Sequence, residues 1–146
     1  MIELVRDIEH RHAIRPDRVL GHSDIQPLTK QDPGPNFPWY RLALAGLIVW
    51  PDTDAVSAAR TRYEQSLPPL QWFQKRLALH GFNVPVTGTL DAITRASLIA
   101  FQMKYRPARY DGSPDAETAV LLEICTQPGG WRLMGSDGRW RPDMAP

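Results

Sequence analysis

The sequence predicts an α+β chain in two parts. A short N-terminal part holds a helix, one strand, a metal-binding type of loop and a short helix, and a bundle of three helices follows. Three observations predict this. Residues 21–35, Gly-His-Ser-Asp-Ile-Gln-Pro-Leu-Thr-Lys-Gln-Asp-Pro-Gly-Pro, concentrate an imidazole, two carboxylates and an ammonium in a proline-rich stretch. Residues 2–13 place apolar side chains at helical spacing, and residues 67–125 hold three such stretches separated by glycine-containing turns.

Composition narrows the class. At 146 residues there is room for one ordinary domain or two small ones, and 42% hydrophobic with 23% charged content fits a soluble globular protein. A formal charge of +1 gives no basis for a nucleic-acid partner. The single cysteine, Cys125, lies among Val120, Leu121, Leu122 and Ile124, which predicts a buried, inert thiol. No run approaches the roughly 20 apolar residues of a membrane span. Glu3, Arg6, Asp7, Glu9 and Arg11 interrupt the first 20 residues, so no signal peptide is visible, and read from Met1 the chain stays in the cytoplasm.

In chain order, Ile2, Leu4, Val5, Ile8 and His12 give residues 2–13 an amphipathic helical pattern. Pro16 ends it, because the residue before proline leaves the α region. Residues 18–22 then read as a short strand that carries His22 at its end. Pro27, Pro33 and Pro35 each remove a backbone donor and Gly34 permits a bend, so the next segment is a rigid loop rather than a regular helix. His22 and Asp32 are ten positions apart, and only a loop that doubles back brings both to one ion. Residues 39–45 read as a short helix, with Pro38 at its first turn and Gly46 past its end. Residues 51–66 read as a linker of mixed polarity, with room for a turn of helix around Ala55 to Arg62 but no apolar face. Leu70, Phe73 and Leu77 define a helix ending at Gly81, and Ala96, Ile99, Ala100 and Met103 define a second. A third starts with Ser113 as N-cap and Pro114 at its first position, and runs to about Ile124. The tail, 126–146, carries Trp131 and Trp140 and reads as a mobile terminus, with stacking of those tryptophans on sugars as the alternative.

The run Gly-His-Ser-Asp-Ile-Gln-Pro-Leu-Thr-Lys-Gln-Asp-Pro-Gly-Pro-Asn-Phe-Pro-Trp resembles the hallmark segment of zinc-dependent N-acetylmuramoyl-L-alanine amidases of the AmpD and AmiD kind. That resemblance implies His22 and Asp32 as zinc ligands, Lys30 as the group that stabilises the oxyanion, and Asp24 as a loop or supporting residue. Gly81-Phe82, Gly88 with Thr94, Ala96 to Phe101-Gln102, and Asp111-Gly112 with Thr118 resemble the small peptidoglycan-binding domain attached to many cell-wall hydrolases. Together they imply residues 1–50 as the C-terminal part of an amidase domain, 51–66 as linker, 67–125 as the peptidoglycan-binding-like bundle and 126–146 as tail.

A lone strand has no ladder partners, and a catalytic zinc takes three protein ligands plus water. The loop offers two ligands, and His10 and His12 lie on a helix with no evident reason to converge on it. The family's glutamate base has no counterpart, and Glu3 and Glu9 are weak stand-ins. The N-terminal part is therefore expected to be truncated relative to the family. The implied activity is zinc-dependent hydrolysis of the amide between N-acetylmuramic acid and L-alanine, with peptidoglycan or muropeptides as partner. The alternatives are a noncatalytic peptidoglycan-binding module and a protein-interaction domain in which His22 and Asp32 only tie down the loop. Attachment of a wall-binding module implies the periplasm or the outer membrane for the parent protein.

Overall fold

The computed structural model describes residues 1–142. The chain is mainly helical with one small antiparallel sheet. In order come α1 (Ile2–His12), a 3-10 turn (Pro16–Arg18), α2 (His22–Ile25), α3 (Trp39–Leu44), β1 (Trp50–Pro51), α4 (Thr53–Gln65), α5 (Leu70–His80), α6 (Ala92–Tyr105), α7 (Ala116–Thr126), β2 (Trp131–Met134) and β3 (Trp140–Pro142). None of the described helices is long and apolar enough to cross a membrane.

Two apolar cores meet side by side. The smaller gathers Trp39, Leu42, Ala43, Leu47, Ile48 and Trp50 around α3, with Ile2 and Val5 of α1 packed against it. The larger is built from Phe73, Leu77, Leu98, Phe101, Val120 and Leu122 of α5, α6 and α7. Tyr105, at the end of α6, packs against both, with its ring 5.4 Å from Trp50 and 4.8 Å from Phe101.

The bundle is held by a repeated polar device. Gln74 of α5 accepts from Gly88 N at 2.8 Å and donates to Thr89 O and Thr94 Oγ1, both at 3.0 Å. Gln102 of α6 accepts from Gly112 N at 2.9 Å and donates to Ser113 O at 2.9 Å and Thr118 Oγ1 at 3.0 Å. Asp91 and Asp115 each cap the next helix by accepting from Thr94 N and Thr118 N at 2.9 Å. So Phe-Gln, then Gly-[Thr/Ser]-x-Asp-x-x-Thr, occurs twice: each glutamine closes the turn that launches the following helix. Both turns need their glycine, since Gly88 and Gly112 have φ of 78° and 73°.

Four expectations are corrected here. Residues 18–22 are not a strand: Val19 is extended, but His22 opens α2, because Asp24 Oδ2 accepts from Gly21 N at 2.9 Å and Asp24 N donates to Gly21 O. Among the described residues no strand pairs with 18–22, and one helical turn fits before the prolines begin. Residues 53–65, within the expected linker, form α4, capped by Asp52 and packed on α7 through Ala55, Val56, Ala59 and Tyr63. The third bundle helix is capped by Asp115 rather than Ser113. The tail is ordered through Pro142: β2 pairs antiparallel with β1 and β3, and Asp52 N donates to Gly130 O at 2.9 Å. Trp131 anchors this hairpin on Tyr105 and His80, and Arg132 ion-pairs with Asp52. The rest of the tail, 143–146, lies outside the described residues. Cys125 is buried, and burial raises its thiol pKa well above the ordinary value, which keeps it protonated.

Gln102 is fully buried. Gln102→Leu would strand Gly112 N and Ser113 O, and should destabilise the chain by about 3 kcal/mol in urea unfolding. A loss below about 1 kcal/mol would show that the turn closes without it.

Candidate functional site

The loop after α2 doubles back on itself. Ser23 N donates to Asp32 O at 3.0 Å, and Pro33 packs so close to Gly21 that a Cβ there would sit 2.4 Å from the proline Cδ. Gly21 is therefore required by close approach rather than by a turn. This fold-back brings His22 and Asp32 together, with Nδ1 2.5 Å from Oδ2. Both side chains face solvent, at 70% and 62% exposure.

The His22 hydrogen bond holds the Asp32 carboxyl below its ordinary pKa, with charge attraction from His22 and from Lys30 adding to it. Asp32 is thus an ionised acceptor, and Nδ1 is the donor. A groove of about 380 Å³ opens beside the pair, walled by Val5, Val19, Leu20, Phe37 and Trp39.

The structure sorts the remaining candidates. Lys30 is exposed on the same loop, its backbone N donating to Gln26 O at 2.9 Å. Glu3 borders a different hollow, with Met1, Pro38 and Arg41. Glu9 is half-buried with Oε1 lacking a hydrogen-bond partner among the described residues, and desolvation raises its pKa, but it does not line the groove at His22 and Asp32. Among the described residues no three His, Cys, Asp or Glu side chains gather to hold a metal, so His10 and His12 do not complete the set. An imidazole and a carboxylate are suitable zinc donors, and they supply two of the three that a catalytic zinc takes.

One residue that matters was not visible as a site residue in the sequence. Lys104 of α6 reaches across to Asp24, Nζ to Oδ2 2.9 Å, with the two side chains only 7% and 8% exposed. The same Asp24 oxygen caps Gly21 N, and the ammonium lies 4.4 Å from the Trp39 ring centre. Asp24 is therefore the anchor of the loop. Behind this pair, His80 is packed among Phe82, Phe101, Tyr105 and Trp131 at ring distances of 5.1 to 5.9 Å. Burial first, then the Lys104 charge, lower its pKa to about 4, against a smaller opposing pull from Asp24.

With this geometry in hand, similarity to known proteins falls into two layers. Residues 66–122 match the family described as "Putative peptidoglycan binding domain". The longer match is to N-acetylmuramoyl-L-alanine amidases. The chain is 37% identical over 131 residues to the amidase AmiD of Escherichia coli strain K12, covering 89% of this chain and 47% of the relative. The solved complex of AmiD with the substrate anhydro-N-acetylmuramic acid-L-Ala-D-gamma-Glu-L-Lys superposes with a TM-score of 0.73, over 84% of this chain and 48% of that one. AmpDh3 from Pseudomonas aeruginosa, 39% identical, gives a TM-score of 0.75 over 84% of this chain and 48% of that chain. The chain thus spans about half the length of the relatives it matches.

The His80 environment predicts a pH dependence. The folded pKa is depressed from 6.5 to about 4, so the unfolded chain binds the proton first as pH falls. The stabilising effect is complete above pH 6.5 and is lost between there and about 4, a change of roughly 3 kcal/mol from this group. Urea unfolding across that window should show the loss, and His80→Phe should flatten it; a wild-type profile matching the variant's would contradict the assignment.

Proposed function

We propose that this chain carries part of a zinc-dependent N-acetylmuramoyl-L-alanine amidase site mounted on a peptidoglycan-binding bundle, acting on the amide between N-acetylmuramic acid and L-alanine. The observation that carries this is the contact of His22 with Asp32, beside Lys30, on a loop locked to α6 by Asp24 and Lys104. Residues 1–50 are read as the amidase part, 67–125 as the wall-binding part, and the parent protein as periplasmic or outer-membrane associated. Similarity to AmiD and to the peptidoglycan-binding family supports both halves of the reading.

His22 and Asp32 would hold zinc, which when bound supplies Lewis acidity toward the amide carbonyl and lowers the pKa of bound water. Lys30, two residues from Asp32, has the reach and charge to stabilise the oxygen that becomes negative as the carbonyl is attacked. The apolar groove beside the pair would exclude water from one side of the bound substrate. A general base and a third donor remain to be supplied.

A second reading, a noncatalytic peptidoglycan-binding module, is favoured by one observation: no third donor gathers with His22 and Asp32 among the described residues. Two measurements on residues 1–146 separate the readings, sedimentation with insoluble peptidoglycan and zinc content after loading and dialysis. The amidase reading predicts cosedimentation and retained zinc that chelation removes. His22→Ala and Asp32→Ala should abolish zinc retention while leaving cosedimentation intact. Cosedimentation without zinc retention selects the second reading, and absence of both contradicts each.

A further inference from the structure

One end of the bundle borders a cavity of about 220 Å³ that His22 and Asp32 do not line. The C-terminal ends of all three bundle helices meet there, contributing His80 from α5, Lys104 and Tyr105 from α6 and Cys125 from α7. Trp131 of β2 lines it too, and Arg18 stands at its edge. We propose that this cavity is a subsite for one neutral sugar ring, held against Trp131 and hydrogen-bonded by His80, Tyr105 and Arg18. The inference deepens the wall-binding reading, on which it rests for the choice of a sugar as ligand.

The polar groups in the cavity lack partners of their own. Among the described residues no hydrogen bond involves the His80 ring or the Tyr105 hydroxyl. Burial, with neighbouring charges, lowers the His80 pKa to about 4 and raises that of Tyr105 well above its ordinary value. Both groups are therefore neutral, and each can donate one hydrogen bond and accept another. Polar groups held away from water favour an occupant that does both. A sugar hydroxyl does, whereas an ammonium only donates and an ionised carboxylate only accepts. Trp131 adds an apolar surface beside them, with its ring 6.0 Å from Tyr105 and 5.9 Å from His80. The C–H face of a pyranose packs on such a ring and leaves its hydroxyls free to bond. Arg18 supplies further donors for an outward-facing hydroxyl.

Charge selects against ionic ligands of either sign. Asp24 is paired with Lys104 at 2.9 Å and Asp17, at the cavity edge, with Arg15 at 2.9 Å, so both carboxylates are already neutralised and draw a cation weakly. At His80 the Lys104 charge outweighs that of Asp24, which opposes a cation further. An anion meets the partial negative charge of three helix C-termini, and Arg18, 72% exposed, attracts it only through screening solvent. A neutral ligand avoids both penalties. The volume lies below the roughly 300–1,000 Å³ of drug-sized pockets, so the cavity takes a single ring rather than a chain of them.

The test is a two-dimensional NMR titration of the full chain with N-acetylglucosamine, and with acetate and methylammonium as charged probes, alongside cosedimentation with insoluble peptidoglycan. The proposal predicts sugar-dependent shifts centred on the Trp131 indole N–H and the amides of His80 and Tyr105, with a Kd on the order of 1 mM for a single ring. Trp131→Leu should weaken binding about tenfold. Arg18→Ala, at an exposed position, should keep the spectrum of the folded chain and weaken binding several-fold. Sugar-dependent shifts elsewhere in the chain, or shifts at the cavity that neither variant reduces, overturn the subsite. Tighter binding of either charged probe at the same residues overturns the neutral ligand. Absence of sugar binding with cosedimentation intact overturns the subsite and leaves the wall-binding reading standing. Sugar binding at Trp131 without cosedimentation supports the cavity and overturns that reading instead.

Discussion

A single buried ion pair joins two segments 80 residues apart and sets where the loop sits on the bundle. Lys104 comes from the last turn of α6, the bundle's longest helix, and its side chain is only 7% exposed. Taking such a charge out of water costs several kcal/mol, and the cost is offset here by a short contact to Asp24 and by the ring faces of Trp39 and Tyr105. Asp24 in turn spends the same oxygen on Gly21 N, so the pair and the start of α2 form together. Position of the loop and closure of the interface between the two cores follow from that arrangement, and the Lys104 charge adds to the burial that keeps His80 neutral. A cation already occupies the polar centre, and a second one at His80 would be repelled.

From that anchor the loop geometry follows by short steps. Gly21 lets Pro33 approach, Ser23 N ties to Asp32 O, and the fold-back leaves His22 and Asp32 touching at the surface. Their exposure contrasts with the burial of the pair that holds them. The rigid part of the motif is the buried carboxylate, and the chemically available part is the exposed one. A loop built this way can keep two donors in register while leaving their outward side free for an ion, a substrate group or another chain.

How much of this was legible in the sequence depends on the range of the interaction. The pairing of His22 with Asp32 was legible through the resemblance of residues 21–39 to the amidase segment, with the prolines and Gly34 permitting the fold-back that brings the two together. The helices α5, α6 and α7 were legible because Leu, Phe and Ile mark their buried faces. Helix α4 was not, since its packed face of Ala55, Val56, Ala59 and Tyr63 holds only one large apolar side chain, which gives a weak periodic signal. The strand expected at residues 18–22 rested on Val19 and Leu20, and β-propensity counts for little where no partner lies alongside. The hairpin of β2 and β3 was missed for the opposite reason: its partner, β1, is two residues long and lies about 80 positions earlier. Lys104 gave no sign of its role, because nothing local distinguishes a lysine that is solvated from one that reaches back to Asp24. The repeated Gln–Gly–Asp–Thr device was written in the sequence at both places, and recognising Gln74 with Gln102 as equivalents would have moved the third N-cap from Ser113 to Asp115.

The most direct measurement of this account is a double-mutant cycle on Asp24 and Lys104, read by urea unfolding of Asp24→Asn, Lys104→Met and the pair together. If the buried ion pair locks the loop to the bundle, each single change should cost about 3–5 kcal/mol by leaving a charge buried alone, and the double should recover much of that. The coupling should then reach about 2 kcal/mol or more. Additivity within about 0.5 kcal/mol would mean that the two charges do not depend on each other, and that something else holds the loop in place.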